Sequence, residues 1–288
     1  MADRISALHD DLLRHVLSFL RAHEAVRTCM LARRWRHLWK SAPAVRVTGV
    51  KGCIDPEWFF NFVDSLLLLR DPIAGLDSFE LDLDYDDFDF DLIEFMPANE
   101  LHVNTLIQHA LRCRPLMRLV LRTGCPIELP NDPLISQHLT KLELRRVDVR
   151  SSTLDFSGLS QVAVLELWIH PEVFIINRDL KLCPTFSKLK TLLLSKWCPG
   201  IASDLNILSC FLKHSPILEK LTLQLSEEPK VPVKTQRSYT PSKQSFAFTH
   251  LKIVEIKCDK VGGRSHKVLD ILSTFDIPLE KVTIQQGN

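Results

Sequence analysis

Apolar side chains follow two different spacings along this chain, helical near the N-terminus and strand-like from residue 76 onward. Leu12, Leu13, Val16, Leu17 and Leu20 stand at i, i+1, i+4, i+5 and i+8, which predicts a first helix with these residues along one face. Asp10 and Asp11 fall in its first turn, where carboxylates suit the positive end of the helix dipole. Ala25, Val26, Cys29 and Met30 repeat the step in a second helix. Leu31, Trp35, Leu38 and Trp39 predict a third, stopped by Pro43. Three helices this short leave large apolar groups they cannot bury among themselves, as a docking surface requires. The spacing is the same whether the chain itself or a partner covers that face.

From residue 76 the unit is LxxLxL, with Val, Ile or Phe accepted at the apolar positions. It starts at Leu76, Leu116, Leu139, Val162, Leu189, Leu218, Leu251 and Leu279, with successive starts 23 to 40 residues apart. A series near a period of about 20–29 residues is the signature of a leucine-rich repeat. Between units, Leu106–Arg114, Ile207–Ser215 and Val268–Phe275 read as helices, with Pro115, Pro216 and Pro278 turning the chain toward the next strand. The expected fold is an α/β solenoid: a three-helix N-terminal domain over residues 3–45, a helical linker over 46–75, and a curved repeat domain over 76–288 with a parallel sheet on its concave face. The polar, proline-containing stretch Glu227–Ser245 reads as a mobile loop. The last LxxLxL has no polar capping unit after it, which predicts a frayed or sticky edge.

In LxxLxL the leucines point inward and the intervening residues face the concave side. That face as a whole offers Arg122, Arg145, Glu166, Trp168 and Leu193 as contacts for a target protein, with Trp168 as an exposed aromatic flanked by Arg122 and Arg145; for any single residue the favoured alternative is a solvated sheet face with Trp168 covered by a neighbouring loop.

Composition narrows the alternatives. A net charge of +1 over 288 residues gives no general pull toward nucleic acid or a membrane surface. The start Met-Ala-Asp-Arg lacks the apolar core of a signal peptide, and the greasiest run, Phe59–Leu69, is interrupted by Asn61, Asp64 and Ser65. The eight cysteines are scattered without a CxxC pair, which favours free, mostly buried thiols in a reducing compartment, nucleus or cytoplasm. Nine carboxylates lie between Asp77 and Glu94, and Asp82, Asp84 and Asp86 have calcium-loop spacing. Asp87 stands where that loop needs glycine and Ile93 where it needs glutamate, so the stretch reads as a strand with an acidic outer face. The basic set Arg33, Arg34, Arg36, His37, Lys40 and Arg46 reads as a docking or solvated helix face rather than a nucleic-acid site. No nucleophile–base signature, phosphate loop or HExxH motif is present, so neither a catalytic residue, a metal site nor a cofactor is expected.

The N-terminal segment resembles an F-box, particularly the plant variety. The resemblance rests on Leu8-His9-Asp10-Asp11-Leu12-Leu13, Val16-Leu17-Ser18-Phe19-Leu20, Ala25-Val26-Arg27-Thr28-Cys29 and Arg33-Arg34-Trp35-Arg36-His37-Leu38-Trp39. It implies docking onto a SKP adaptor, and through it onto cullin and RING subunits, by Leu8, His9, Leu12, Leu13, Val16, Leu17, Leu20 and Trp35. That family usually carries proline where this chain has His9 and Arg21, and proline at a first helical position pre-sets φ. The repeats resemble those of plant F-box/leucine-rich-repeat proteins, and residues 246–288 resemble their FBD tail. The implied role is the substrate-recognition subunit of an SCF-type E3 ubiquitin ligase, itself non-catalytic. The competing expectation is a repeat scaffold that binds protein but engages the adaptor weakly or not at all.

Overall fold

A computed structural model describes residues 5–48, 56–83, 105–128, 138–148, 159–168, 185–199, 202–226, 250–259 and 262–286, apart from isolated positions within these ranges. Residues 84–94 of the acidic stretch and the loop 227–245 lie outside the described residues. The chain divides into two compact units, residues 1–130 and 131–288.

The first unit opens with α1 (Asp10–Leu17) and α2 (Ala22–Arg27). The Ser18 hydroxyl closes α1 by donating to the His15 carbonyl (2.6 Å). At the start of α2 the Glu24 carboxylate accepts the Arg21 backbone N–H (3.0 Å), so an otherwise orphaned donor is satisfied from the third helical position. The third α-helix predicted from Leu31 to Trp39 is not formed. Its place is taken by 3-10 turns at Arg33–Arg36 and Leu38–Ser41, separated by His37 at φ −122° and ψ −4°. The two turns bury Trp35 from the first and Leu38 and Trp39 from the second. Arg34 ties these turns to α1 through the Asp10 carboxylate (2.6 Å), and Arg14 reaches the Ser41 hydroxyl (2.9 Å).

Strand β1 (Ala44–Thr48) follows, then α3 (Pro56–Leu68), β2 (Ser78–Leu83) and β3 (Arg118–Glu128). The stretch expected as a helical linker therefore contributes a strand as well as a helix. Its Val45 pairs in register with Phe79, and Phe79 with Leu119, in a parallel β1-β2-β3 arrangement.

The second unit carries β4 (Lys141–Asp148), β5 (Val164–Trp168), β6 (Thr191–Trp197), α4 (Ala202–His214), β7 (Lys220–Leu225), β8 (Ile253–Cys258), α5 (Gly263–Thr274) and β9 (Val282–Gln286). Each strand pairs in parallel with the next. Leu142, Leu165, Leu192, Leu221 and Val254 are all fully buried, and the second inward position, from Leu144 through Leu167, Leu194 and Leu223 to Ile256, is buried beside them. Each such leucine contributes about 1.5–3 kcal/mol. At the last unit the pattern opens, with Leu279 and Ile284 exposed where their counterparts are buried.

One hydrogen-bonding device recurs at the entrance to the strands. The carbonyls of Pro43, Asp77, Thr140, Ala163, Lys190 and Glu219 each accept two successive backbone N–H groups from the following unit, at 2.8–3.2 Å. At these six junctions among the described residues, one unit thereby fixes the start of the next. Two of the predicted return helices are present as α4 and α5. The buried Asp204 carboxylate at the start of α4 accepts the Cys198 backbone N–H (2.8 Å), while the Trp197 indole donates to the Asp204 carbonyl (3.0 Å). Helix α5 ends with Asp276 at φ 57°, the Asp276 N–H on Ser273 and the Ile277 N–H on Leu272. This pair of bonds defines a Schellman cap, with Ile277 and Leu272 both buried.

Candidate functional site

The paired apolar residues of α1 split into two stripes. Leu13 and Leu17 turn inward, at 0% and 1% exposure, whereas Leu12 (52%), Val16 (45%) and Phe19 (61%) stay in solvent. Residues one apart on a helix point about 100° from each other, so the doublets Leu12-Leu13 and Val16-Leu17 supply one core stripe and one surface stripe. Leu8, also exposed, extends the outer stripe one turn upstream, and the His15 ring meets Phe19 edge to face with centroids 4.9 Å apart. Met30 and Leu31 add further exposed apolar side chains in the same unit.

Of the residues expected to touch an adaptor, Leu8, His9, Leu12 and Val16 lie in the open and Leu20 is half-buried. Leu13, Leu17 and Trp35 do not lie on the surface, because they are the core that holds the helices and turns together. Phe19, Met30 and Leu31 were not among the expected contacts. Phe19 carried a readable signal, lying three residues beyond Val16 and seven beyond Leu12.

His9 and Arg21 are not first helical residues. Both are N-caps, at φ −64° and −66°, values that proline adopts without strain. Neither side chain caps its helix.

Arg70 braces the first unit from within. Its guanidinium is buried and donates to the carbonyls of Ala42 (3.0 Å) and Gly75 (3.2 Å), joining the end of the 3-10 turns to the loop before β2. Burial lowers its pKa, offset in part by Cys113 and Asp71, and burial likewise raises that of the Cys113 thiol. Beyond this core, α3 and the turn after it expose Trp58, Leu68, Leu69 and Ile73, with Trp58 stacked on Phe62 at 5.9 Å.

The second candidate surface is the polar face of the strands. In the first unit Arg122 is held by the Asp82 carboxylate (2.9 Å) and lies 3.7 Å from Glu80, which Arg46 approaches at 3.6 Å. In the second unit Lys141 binds Glu166 (2.8 Å), and Lys220 binds Glu255 (2.7 Å) with Thr222 alongside (3.2 Å). The Lys220 hydrogen bond is the main reason the Glu255 carboxyl sits below its ordinary pKa. Trp168 is not the exposed anchor expected from its position. It is 8% exposed, with the Arg145 guanidinium 4.2 Å above its ring and the Lys196 ammonium 5.7 Å from it. Leu193 is half-buried on the next strand, paired in register with Glu166.

Among the described residues no group of His, Cys, Asp and Glu is arranged to hold a metal ion, and no helix is long and apolar enough to cross a membrane. Five described cysteines are free thiols, with Cys210 and Cys258 buried and Cys29, Cys113 and Cys198 half-buried.

Comparison with known proteins places the helical segment. Residues 5–44 match the F-box domain family. An FBD-associated F-box protein of Arabidopsis thaliana is 38% identical over 92 residues, covering 32% of this chain and 20% of its own length. A second, putative FBD-associated F-box protein of that plant is 30% identical over 191 residues, 65% of this chain and 42% of its own. An F-box/FBD/LRR-repeat protein, also from Arabidopsis thaliana, is 36% identical over 107 residues, 37% of this chain and 24% of its own. The chain thus spans less than half the length of these relatives. No solved structure matches it. The N-terminal segment is an F-box domain. The relatives it matches are F-box proteins of Arabidopsis thaliana of the FBD and leucine-rich-repeat kind.

Proposed function

We propose that this chain is a substrate-recognition subunit of an SCF-type E3 ubiquitin ligase. Its F-box docks on a SKP adaptor through the outer stripe Leu8, Leu12, Val16 and Phe19, extended by Met30 and Leu31. The single observation that carries this reading is the split of the α1 doublets, which leaves a continuous apolar stripe in solvent on a short F-box helix whose core is already complete. The parallel strands, with their buried LxxLxL ladders and repeated double-acceptor carbonyls, are read as turns of a leucine-rich-repeat solenoid whose polar face holds the target. The chain contributes no chemical group. It raises the effective concentration of a target lysine at a ubiquitin thioester carried elsewhere in the ligase, in nucleus or cytoplasm.

The test is capture of purified chain by a SKP adaptor, with Leu12→Asp and Val16→Asp beside the parent. Both variants are expected to lose capture while their circular dichroism and melting midpoint stay near those of the parent. Capture by both variants at the parental level refutes docking through this stripe, and no capture by any of the three refutes the ligase assignment.

A further inference from the structure

The F-box holds a surplus of positive charge that the rest of the chain offsets. Residues 5–48 contain eight Lys and Arg against three Asp and Glu, although the whole chain stands at +1. All three acids are already engaged within that segment: Asp10 by Arg34, Asp11 by Arg14 (2.7 Å), and Glu24 by the Arg21 backbone N–H. Arg46 turns away from them to Glu80. Arg27, Arg33 and Arg36 are exposed, and among the described residues no hydrogen bond or ion pair engages their side chains.

These three arginines sit beside the outer stripe of α1. The Arg34 guanidinium, between Arg33 and Arg36 in the chain, donates both to the Asp10 carboxylate and to the Leu8 carbonyl, so its turn is seated at the Leu8 end of the stripe. The 3-10 turn Thr28–Met30, which begins just after Arg27, packs against that turn, and Met30 and Leu31 are exposed there. At this end, large apolar side chains and unengaged guanidinium groups therefore share one surface.

We infer that the SKP face covering this stripe is acidic at the Leu8 end, an apolar surface bordered by carboxylates that meet Arg27, Arg33 and Arg36. This deepens the adaptor reading above and rests on it. Guanidinium groups at the rim of an interface stay solvated; they add little to the lifetime of a complex but draw an oppositely charged partner into register before contact. The stripe holds the complex, and the arginines speed and orient its formation. A nucleic acid fits less well, because Trp35 and Trp39 of these turns are buried and present no ring for a base to stack on.

The experiment measures association and dissociation rates of the full chain on immobilised SKP adaptor, at low and high salt. It compares the parent with the triple variant Arg27→Glu, Arg33→Glu, Arg36→Glu, with its glutamine counterpart, and with Leu12→Asp. Parental association is expected to slow about tenfold between about 0.03 and about 0.3 M salt. The glutamate triple should associate about tenfold more slowly at low salt, lose most of that salt dependence, and dissociate within about twofold of the parent. The glutamine triple, which removes charge without adding repulsion, should fall between them with a parental melting midpoint. Leu12→Asp should lose capture at both salts. Parental association that ignores salt, or triple variants that associate like the parent, overturns this inference, and loss of capture in Leu12→Asp alone then leaves the stripe reading standing. Triple variants that act only on dissociation overturn it as well. So does a single-stranded oligonucleotide that displaces the adaptor from the parent and fails to bind the variants. No capture of the parent at either salt sinks both readings together.

Discussion

Leu12 and Leu13 are neighbours in sequence with opposite fates, and replacing each tests the assignment of the two stripes. Leu13 is fully buried, so Leu13→Ala removes its transfer free energy and leaves a cavity in the core of the first unit; the expected loss is about 2–5 kcal/mol. Leu12 keeps 52% of its surface in water, so Leu12→Ala forfeits at most half of a leucine's transfer term, about 1 kcal/mol, with no cavity. Adaptor binding should respond in the other sense. An anchor at the centre of an interface is worth about 2–4 kcal/mol, so Leu12→Asp should raise the adaptor Kd about 30-fold or more. Leu13→Ala should weaken capture only to the extent that it unfolds the F-box. Urea denaturation followed by tryptophan fluorescence, which reports on the buried Trp35 and Trp39, measures the first quantity, and biolayer interferometry on immobilised adaptor the second. Parental stability in Leu13→Ala, or parental affinity in Leu12→Asp, refutes the division into a core stripe and a docking stripe.

Four further outcomes are expected. His9→Pro should leave stability unchanged or raise the melting midpoint by the equivalent of about 0.4–1 kcal/mol, because His9 already holds a proline φ; a clear fall would reveal a lost backbone donor. Arg70→Met should destabilise the first unit by about 1–3 kcal/mol, measured by urea unfolding, since the buried carbonyls of Ala42 and Gly75 lose their donor. Asp276→Val should cost about 1–2 kcal/mol and Asp276→Gly nothing, because β-branched side chains clash in the left-handed cap and glycine does not. Glu255 sits below its ordinary pKa of 4.5 through Lys220, burial opposing, so its contribution is present above that value and is lost as pH falls through the depressed folded value. Stability curves of Glu255→Gln and parent should therefore diverge above pH 4.5 and converge as the carboxylate protonates, and a constant offset across that range would contradict the shift.

The strand positions were legible because an inward ladder depends only on spacing. All eight LxxLxL starts lead into strands β2–β9, and the helices around Ile207–Ser215 and Val268–Phe275 appear as α4 and α5. Strand β1 escaped because its unit reads Ala42-Pro43-Ala44-Val45-Arg46-Val47, with alanine in place of the leading leucine; Ala42 is nonetheless buried in that position. The docking stripe was legible as an apolar surplus but not as a direction, since periodicity does not say which half of a wide apolar face the chain keeps for itself. Trp168 failed for a different reason. What covers it are Arg145 and Lys196, which lie 23 and 28 residues away in sequence, and Lys196 reaches it only through a bulge that leaves no spacing signal.

The same separation decides which substitutions the strands tolerate. At the six described junctions the ladder residues and the double-acceptor carbonyl hold the neighbouring strand, and neither depends on which side chain occupies the intervening polar-face positions. Exchanging Lys257 changes charge at a partly exposed position without opening a cavity, so its effect on stability should be small, whereas exchanging Arg145 removes the guanidinium that lies over the buried Trp168 ring. Lys141, Glu166, Lys220 and Glu255 are less free, because each replacement strands a partner on an adjacent strand.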